Sequence, residues 1–307
     1  MKGSRLALLL QSSYTQLRSD LDSALGQAGQ CYPYRDTTEL QMALQAIHQH
    51  NFDGIGVLGN DAELAHVYNT LHRAYDTPQL PLLPIPWSDG PKHVARELGM
   101  SNSDPRTIAE QFARLSRNTP RLLRRRPTIT RISRATIRVL LATQPDTTLA
   151  FTVGMGIAGQ PHTSSRRALA RDVAQSFVRD VNQRLKTGEP ETFPAKVVAD
   201  HNPTAETVSL GIASTLQYGP LALQLAARPL TTPGTFHLLW SQRNLALTMA
   251  ALRLPKPFRE GIRTTIATHV NLDIMAPIAL DGVAVEGGGP FALGLRPGPT
   301  IQLLQLT

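Results

Sequence analysis

The stretch Asp53–Gly99 holds the residues whose order is most suggestive of chemistry in this 307-residue chain. Asp53–Leu58 is a short apolar run that predicts a buried strand, and Gly59-Asn60-Asp61-Ala62-Glu63 follows it at once. Leu64, Val67, Tyr68 and Leu71 then recur at helical spacing. A strand that turns directly into a helix offers free backbone N–H groups and the positive end of the helix dipole, which suits a phosphate. The side chains here argue against that use. Asn60 and Glu63 stand three apart, the spacing of a capping box that closes a helix start on itself. A carboxylate in the first turn also repels phosphate, and Asp61 alone is an ordinary first-turn acid. A second strand, Leu82–Ile85, leads into another loop and a helix ending in Ala95-Arg96-Glu97-Leu98-Gly99.

Other signatures carry less. Gly154-Met155-Gly156-Ile157-Ala158-Gly159 fits the spacing of a dinucleotide loop, but Pro161 follows where the helix should already run. About twenty residues on, helical spacing stands where a ribose-binding acid on a second strand is needed. Close backbone packing explains these glycines better. His48 and His50 are two apart near a helix end and face different ways, and there is no H-E-x-x-H or cysteine pair to bind metal. No G-x-S-x-G nucleophile elbow occurs.

Charge is the second signal. The net charge is +8, and no acidic residue lies between Gln111 and Pro145. That interval holds Arg114, Arg117, Arg121, Arg124, Arg125, Arg126, Arg131, Arg134 and Arg138. Anionic lipid headgroups attract each such residue by about 1 kcal/mol near a membrane, and nucleic acid attracts them by the same physics. No aromatic residue lies between Ala113 and Ala150, so base-stacking platforms are missing where the charge is. This favours an anionic membrane surface, met mainly through Arg121, Arg124, Arg125 and Arg126, over nucleic acid. A solvated basic face with no dedicated partner is the bland alternative.

No segment approaches the roughly 20 apolar residues of a membrane span. Leu6–Leu10, after Lys2 and Arg5, is shorter than the signal-peptide core of about 7–15 residues and predicts a first strand instead. The single cysteine, Cys31, rules out an internal disulfide and suits a reducing cytoplasm. The expected location is therefore cytoplasmic, peripheral at the membrane.

These residues have to be held by two domains. Strand and helix alternate over residues 1–125, which predicts a doubly wound parallel sheet. Its elements are Leu6–Leu10, a helix with Leu17, Leu21 and Leu25, Cys31–Tyr34, and a helix capped by Thr37 that carries Leu40, Leu44 and Ile47. Asp104-Pro105 opens a further helix. From Arg126-Pro127 the pattern becomes β-rich, and residues 126–307 are expected to form a sandwich-like domain. One long helix, about Ser164–Lys186, interrupts it with an apolar stripe of Leu169, Val173, Phe177, Val181 and Leu185.

In order and layout the chain resembles the diacylglycerol kinase and sphingosine kinase family of lipid kinases. Gly59-Asn60-Asp61-Ala62-Glu63 stands where that family has G-G-D-G-T, and Val67-x-Asn69-x-Leu71 resembles its next helix. Trp87–Arg96 stands in place of its second motif, with Lys92 at the Asn position and only the Ala-Arg end kept before Leu98-Gly99. Gln11-Ser12-Ser13-Tyr14 replaces N-P-x-[SA]-G after the first strand. Asp281-Gly282-Val283 matches a late D-G-E motif in part, and the resemblance implies Asp281 as the base that deprotonates a lipid hydroxyl. Asp-Gly is also a common tight-turn pair.

Three altered loops imply that ATP is not bound in the family manner, so no cofactor is expected. The resemblance then implies a lipid-binding protein that has lost the kinase reaction, with a lipid cleft drawing on Ala158, Phe177, Val181 and Tyr218. The alternative is an active lipid kinase using ATP and Mg²⁺. In it Gly59, Asn60 and Asp61 line the nucleotide loop, Asp61 holds the metal through water, and Lys92 meets phosphate as a point charge.

Overall fold

A computed structural model describes residues 5–75, 80–87, 94, 104–116, 129–143, 146–159, 175, 178–179, 181–183, 185–187, 192–216, 234–242, 262–287 and 289–306. The chain divides into two compact units, Met1–Ser133 with Ile301–Thr307, and Arg134–Thr300. Among the described residues no helix is long and apolar enough to cross a membrane.

In the first unit, β1 (Leu6–Gln11), β2 (Gly29–Tyr34), β3 (Gly54–Gly59) and β4 (Leu82–Pro86) form a parallel sheet in the order β2-β1-β3-β4. The last residues of the chain return to it, with Leu303 paired in parallel to Leu82. Leu6-Ala7-Leu8-Leu9-Leu10 is buried on both sides, which is why it reads as a continuous apolar run and not as an alternation. Leu6, Leu8 and Leu10 share a core with α1 (Arg18–Leu25) and with α4 (Pro105–Ser116), which adds Ile108 and Phe112. Ala7 and Leu9 point the other way by strand alternation. The remaining helices, α2 (Thr37–Gln49) and α3 (Asp61–Ala74), pack on each other.

The cap of α2 differs from the sequence expectation. Asp36, not Thr37, stands at the N-cap, where its side chain accepts the Glu39 N–H at 2.9 Å. Glu39 reaches back to the Arg35 N–H at 2.8 Å. A carboxylate accepts from the helix N-terminus more strongly than a hydroxyl does, and Thr37 becomes the first helical residue.

β5 (Ile129–Leu141) is one continuous strand, and β6 (Thr148–Ala150) pairs with it inside the second unit. There β7 (Thr152–Gly156), β8 (Phe193–Ala199), β9 (Asn202–Val208), β10 (Leu210–Ser214), β11 (Phe236–Ser241), β12 (Ile262–Ala267), β13 (Val270–Ile274), β14 (Ile278–Leu280), β15 (Val283–Ala284) and the start of β16 (Phe291–Leu306) are antiparallel neighbours. One sheet has the order β12-β11-β10-β7-β14-β15. Its core side carries Val153, Met155, Ala213, Phe236, Leu238 and Trp240, packed with Val270, Leu272 and Leu293.

The described positions between 175 and 187 are helical, as the sequence predicts. The expected apolar stripe is not buried along its whole length, because Leu185 is 81% exposed. Val181 is half-buried.

Candidate functional site

The order β2-β1-β3-β4 reverses direction between β1 and β3, so the crevice beyond their carboxyl ends is where an open α/β sheet takes its ligand. Gln11-Ser12 closes β1 there, and Gly59-Asn60 closes β3. Every side chain around the start of α3 is engaged. Asn60 Oδ1 accepts the N–H groups of Ala62 at 2.8 Å and Glu63 at 3.2 Å. Glu63 returns the bond by accepting the Asn60 N–H at 2.7 Å, which completes the capping box that the spacing predicts. Tyr14, from the turn after β1, donates its hydroxyl to the other Glu63 oxygen at 3.2 Å. Asp61 is buried and accepts the Val94 N–H at 3.1 Å.

The wall of this crevice is phenolic and imidazole in character. Tyr34 is buried, and Ser12 donates to its carbonyl at 3.0 Å. Burial pushes the Tyr34 phenol up, and the nearby Glu63 and Tyr14 add to the effect. His66 lies against Tyr34, with ring centroids 6.3 Å apart, and its pKa is lowered by burial and then by Arg73. Among the described residues the crevice thus presents a carboxylate and neutral rings where a phosphate site would present free N–H groups and cations. Tyr14 closing on Glu63 was not read from the sequence, since 49 positions separate them.

Asp281 lies in the second unit. It occupies the turn between β14 and β15 with φ 50°, followed by Gly282 with φ 81°. Two left-handed residues in succession make the tight hairpin turn that Asp-Gly favours. The carboxylate is buried, and it accepts the N–H of Phe151 at 3.0 and 3.1 Å, the N–H of Thr152 at 2.7 Å and the Thr152 hydroxyl at 3.1 Å. Its own N–H donates to the Thr152 carbonyl at 2.9 Å. These bonds fasten the turn to the start of β7.

The glycine motif at 154–159 serves packing. A Cβ on Gly154 would collide with the Ala158 carbonyl, and one on Gly159 with the Pro277 carbonyl. Ala158 is itself buried in the short helical turn that follows β7. An open groove of about 790 Å³ elsewhere in this unit is lined by residues including Pro194, Lys196, Gln242, Asp273 and Met275, and none of the expected site residues is among its described lining. Lys92, Phe177, Tyr218, Arg121, Arg124, Arg125 and Arg126 lie outside the described residues. No group of three or more metal-ligating side chains occurs among the described residues.

Three solved structures from Bacillus anthracis str. Sterne match this architecture over nearly its whole length. One, a diacylglycerol kinase, has a TM-score of 0.61 at 12% identity and covers 100% of this chain and 97% of its own. Two more, each described as a putative diacylglycerol kinase, have TM-scores of 0.60 and 0.57 at 14% and 13% identity. They cover 98% and 96% of this chain, and 97% and 95% of their own. The fold is diacylglycerol kinase-like. No protein-family model matches the chain, and no curated protein sequence matches it. At this identity the likeness speaks for the diacylglycerol kinase-like fold, and activity has to be argued from the site.

Proposed function

We propose that this protein binds a lipid on a diacylglycerol kinase-like scaffold and does not transfer phosphate from ATP. The observation that carries the reading is the closed start of α3. The Ala62 and Glu63 N–H groups are taken by Asn60, and the Glu63 carboxylate held by Tyr14 stands where a phosphate would need positive charge. Asp61, the acid that a metal would need, is buried and accepts the Val94 N–H. The fold supports a lipid as ligand, and the arginines at 121 and 124–126 support a place at an anionic membrane surface. Carrying, presenting or sensing a lipid all fit.

An active kinase would need Asp281 as base and Lys92 as phosphate contact. Asp281 accepts three different donors in its turn, which speaks for a structural role. Mass spectrometry of an organic extract of the purified protein tests the lipid reading. Stoichiometric lipid, together with sedimentation on anionic liposomes, is the expected result. A protein that purifies empty and ignores such liposomes overturns it.

A further inference from the structure

Two turns of the second unit are fastened to each other by one carboxylate. Asp200 and His201 make the tight turn between β8 and β9, and Thr268 and His269 join β12 to β13. Asp200 accepts the Thr268 N–H at 3.0 Å, the Thr268 hydroxyl at 2.7 Å and the His269 N–H at 2.9 Å. Its own N–H donates to the His269 carbonyl at 2.8 Å. The chain at positions 201 and 269 is thereby held side by side, and the two imidazoles stand with ring centroids 5.9 Å apart.

Nothing local accounts for a histidine at position 201. Its φ of 68° is left-handed, a conformation in which the second residue of such a turn is commonly glycine. Asp200, at φ 47°, is compensated by the bonds its side chain makes. The His201 ring takes part in no hydrogen bond or ion pair among the described residues, and neither does the His269 ring. His201 is exposed and His269 half-buried, so the pair opens to solvent. A strained residue without local compensation points to a use for its side chain.

The spacing suits a metal ion. A tetrahedral ion that takes one nitrogen from each of two imidazoles, at about 2.0 Å, holds the ring centroids about 5 Å apart. A shift of about 1 Å, within the reach of side-chain rotation, brings the present 5.9 Å to that distance. Asp200 adds negative charge beside the pair, because its hydrogen bond from Thr268 holds its carboxyl below the usual carboxylate range. Imidazole nitrogen selects zinc, copper(II) or nickel over magnesium and calcium, which prefer oxygen.

We propose that His201 and His269 bind a zinc-class divalent cation through one nitrogen each, with water in the remaining positions. The ion staples the β8–β9 turn to the turn before β13. The assignment uses no residue of the crevice or of the lipid reading and stands apart from both. With two protein ligands the site is open and exchangeable, unlike a closed structural zinc site.

The test uses the untagged full chain with zinc chloride as probe, magnesium chloride as control and copper(II) as a spectroscopic substitute. Equilibrium dialysis is expected to find one zinc per chain, bound at least about tenfold more weakly by H201Q and by H269Q. Copper(II) should show two coupled nitrogens by electron paramagnetic resonance, and one in either variant. H48Q, which changes a histidine of the first unit, should bind zinc as the parent does. H201G relieves the left-handed backbone, so it should be no less stable than the parent without metal and should still lose zinc. That variant separates loss of the ion from loss of the fold. Zinc binding unchanged in H201Q and H269Q, equal binding of magnesium, or no zinc bound at submillimolar concentration would each overturn the assignment.

Discussion

Two glycine-containing loops in this molecule each follow a strand and are closed by different physics. The loop after β3 is closed by side chains, with Asn60, Glu63 and Tyr14 satisfying one another around the start of α3. The loop after β7 is closed by backbone, since Gly154 and Gly159 admit carbonyl groups where any Cβ would stand. The first closure can be undone by substitution, because the N–H groups beneath it remain. The second cannot, because the space that a ligand would need is filled by main chain.

The largest effect is expected where the backbone-closed loop is anchored. Asp281→Ala leaves the buried N–H groups of Phe151 and Thr152 without their acceptor and should lower stability by about 3 kcal/mol, read from the urea midpoint. Gly154→Ala forces the Ala158 carbonyl away and should cost about 2 kcal/mol in the same measurement. A loss below that of Asn60→Ala would break the contrast between the two loops.

Asn60→Ala removes the side-chain cap and should cost about 1 kcal/mol. The smallest effect is a pH dependence that involves each unit once. His66 and His237 are both held below the ordinary value of 6.5 by burial, so the unfolded chain takes up protons first as pH falls. Their contribution is fully present above pH 6.5 and is lost as pH falls below it towards the folded values. Melting temperature should drop between neutral and mildly acidic pH, and the double variant H66Q/H237Q should show a shallower drop. An unchanged slope would mean that other groups dominate.

Much of the first unit was legible because its signals are local. The apolar run Leu6–Leu10, the spacing of Leu64, Val67 and Leu71, and the Asn60–Glu63 pair each lie within one element and its cap. Asp281-Gly282 was legible as a turn, but not as the clamp on Phe151 and Thr152, about 130 residues away in sequence. The return of the last strand to the first unit is what the lipid-kinase resemblance implies, whereas the pairing of Leu303 with Leu82 depends on register, which composition does not encode. The hairpin turn between β8 and β9 was missed because Asp200-His201 holds it at φ 47° and 68°, in place of the usual Asn-Gly. Asp200 stabilises that turn by accepting from Thr268 and His269 at 2.7–3.0 Å, contacts that only tertiary structure supplies. The pairing of His201 with His269 was invisible for the same reason, since it is set by the clamp between their two turns.

The central claim is that the start of α3 is closed to nucleotide, and thermal melting with Mg-ATP tests it most directly. A ligand at about 100 times its dissociation constant stabilises a protein by about 2.7 kcal/mol. The account predicts no shift of the first unit's transition at millimolar Mg-ATP, with or without added lipid. A saturable upward shift, abolished by Asp61→Asn, would contradict it.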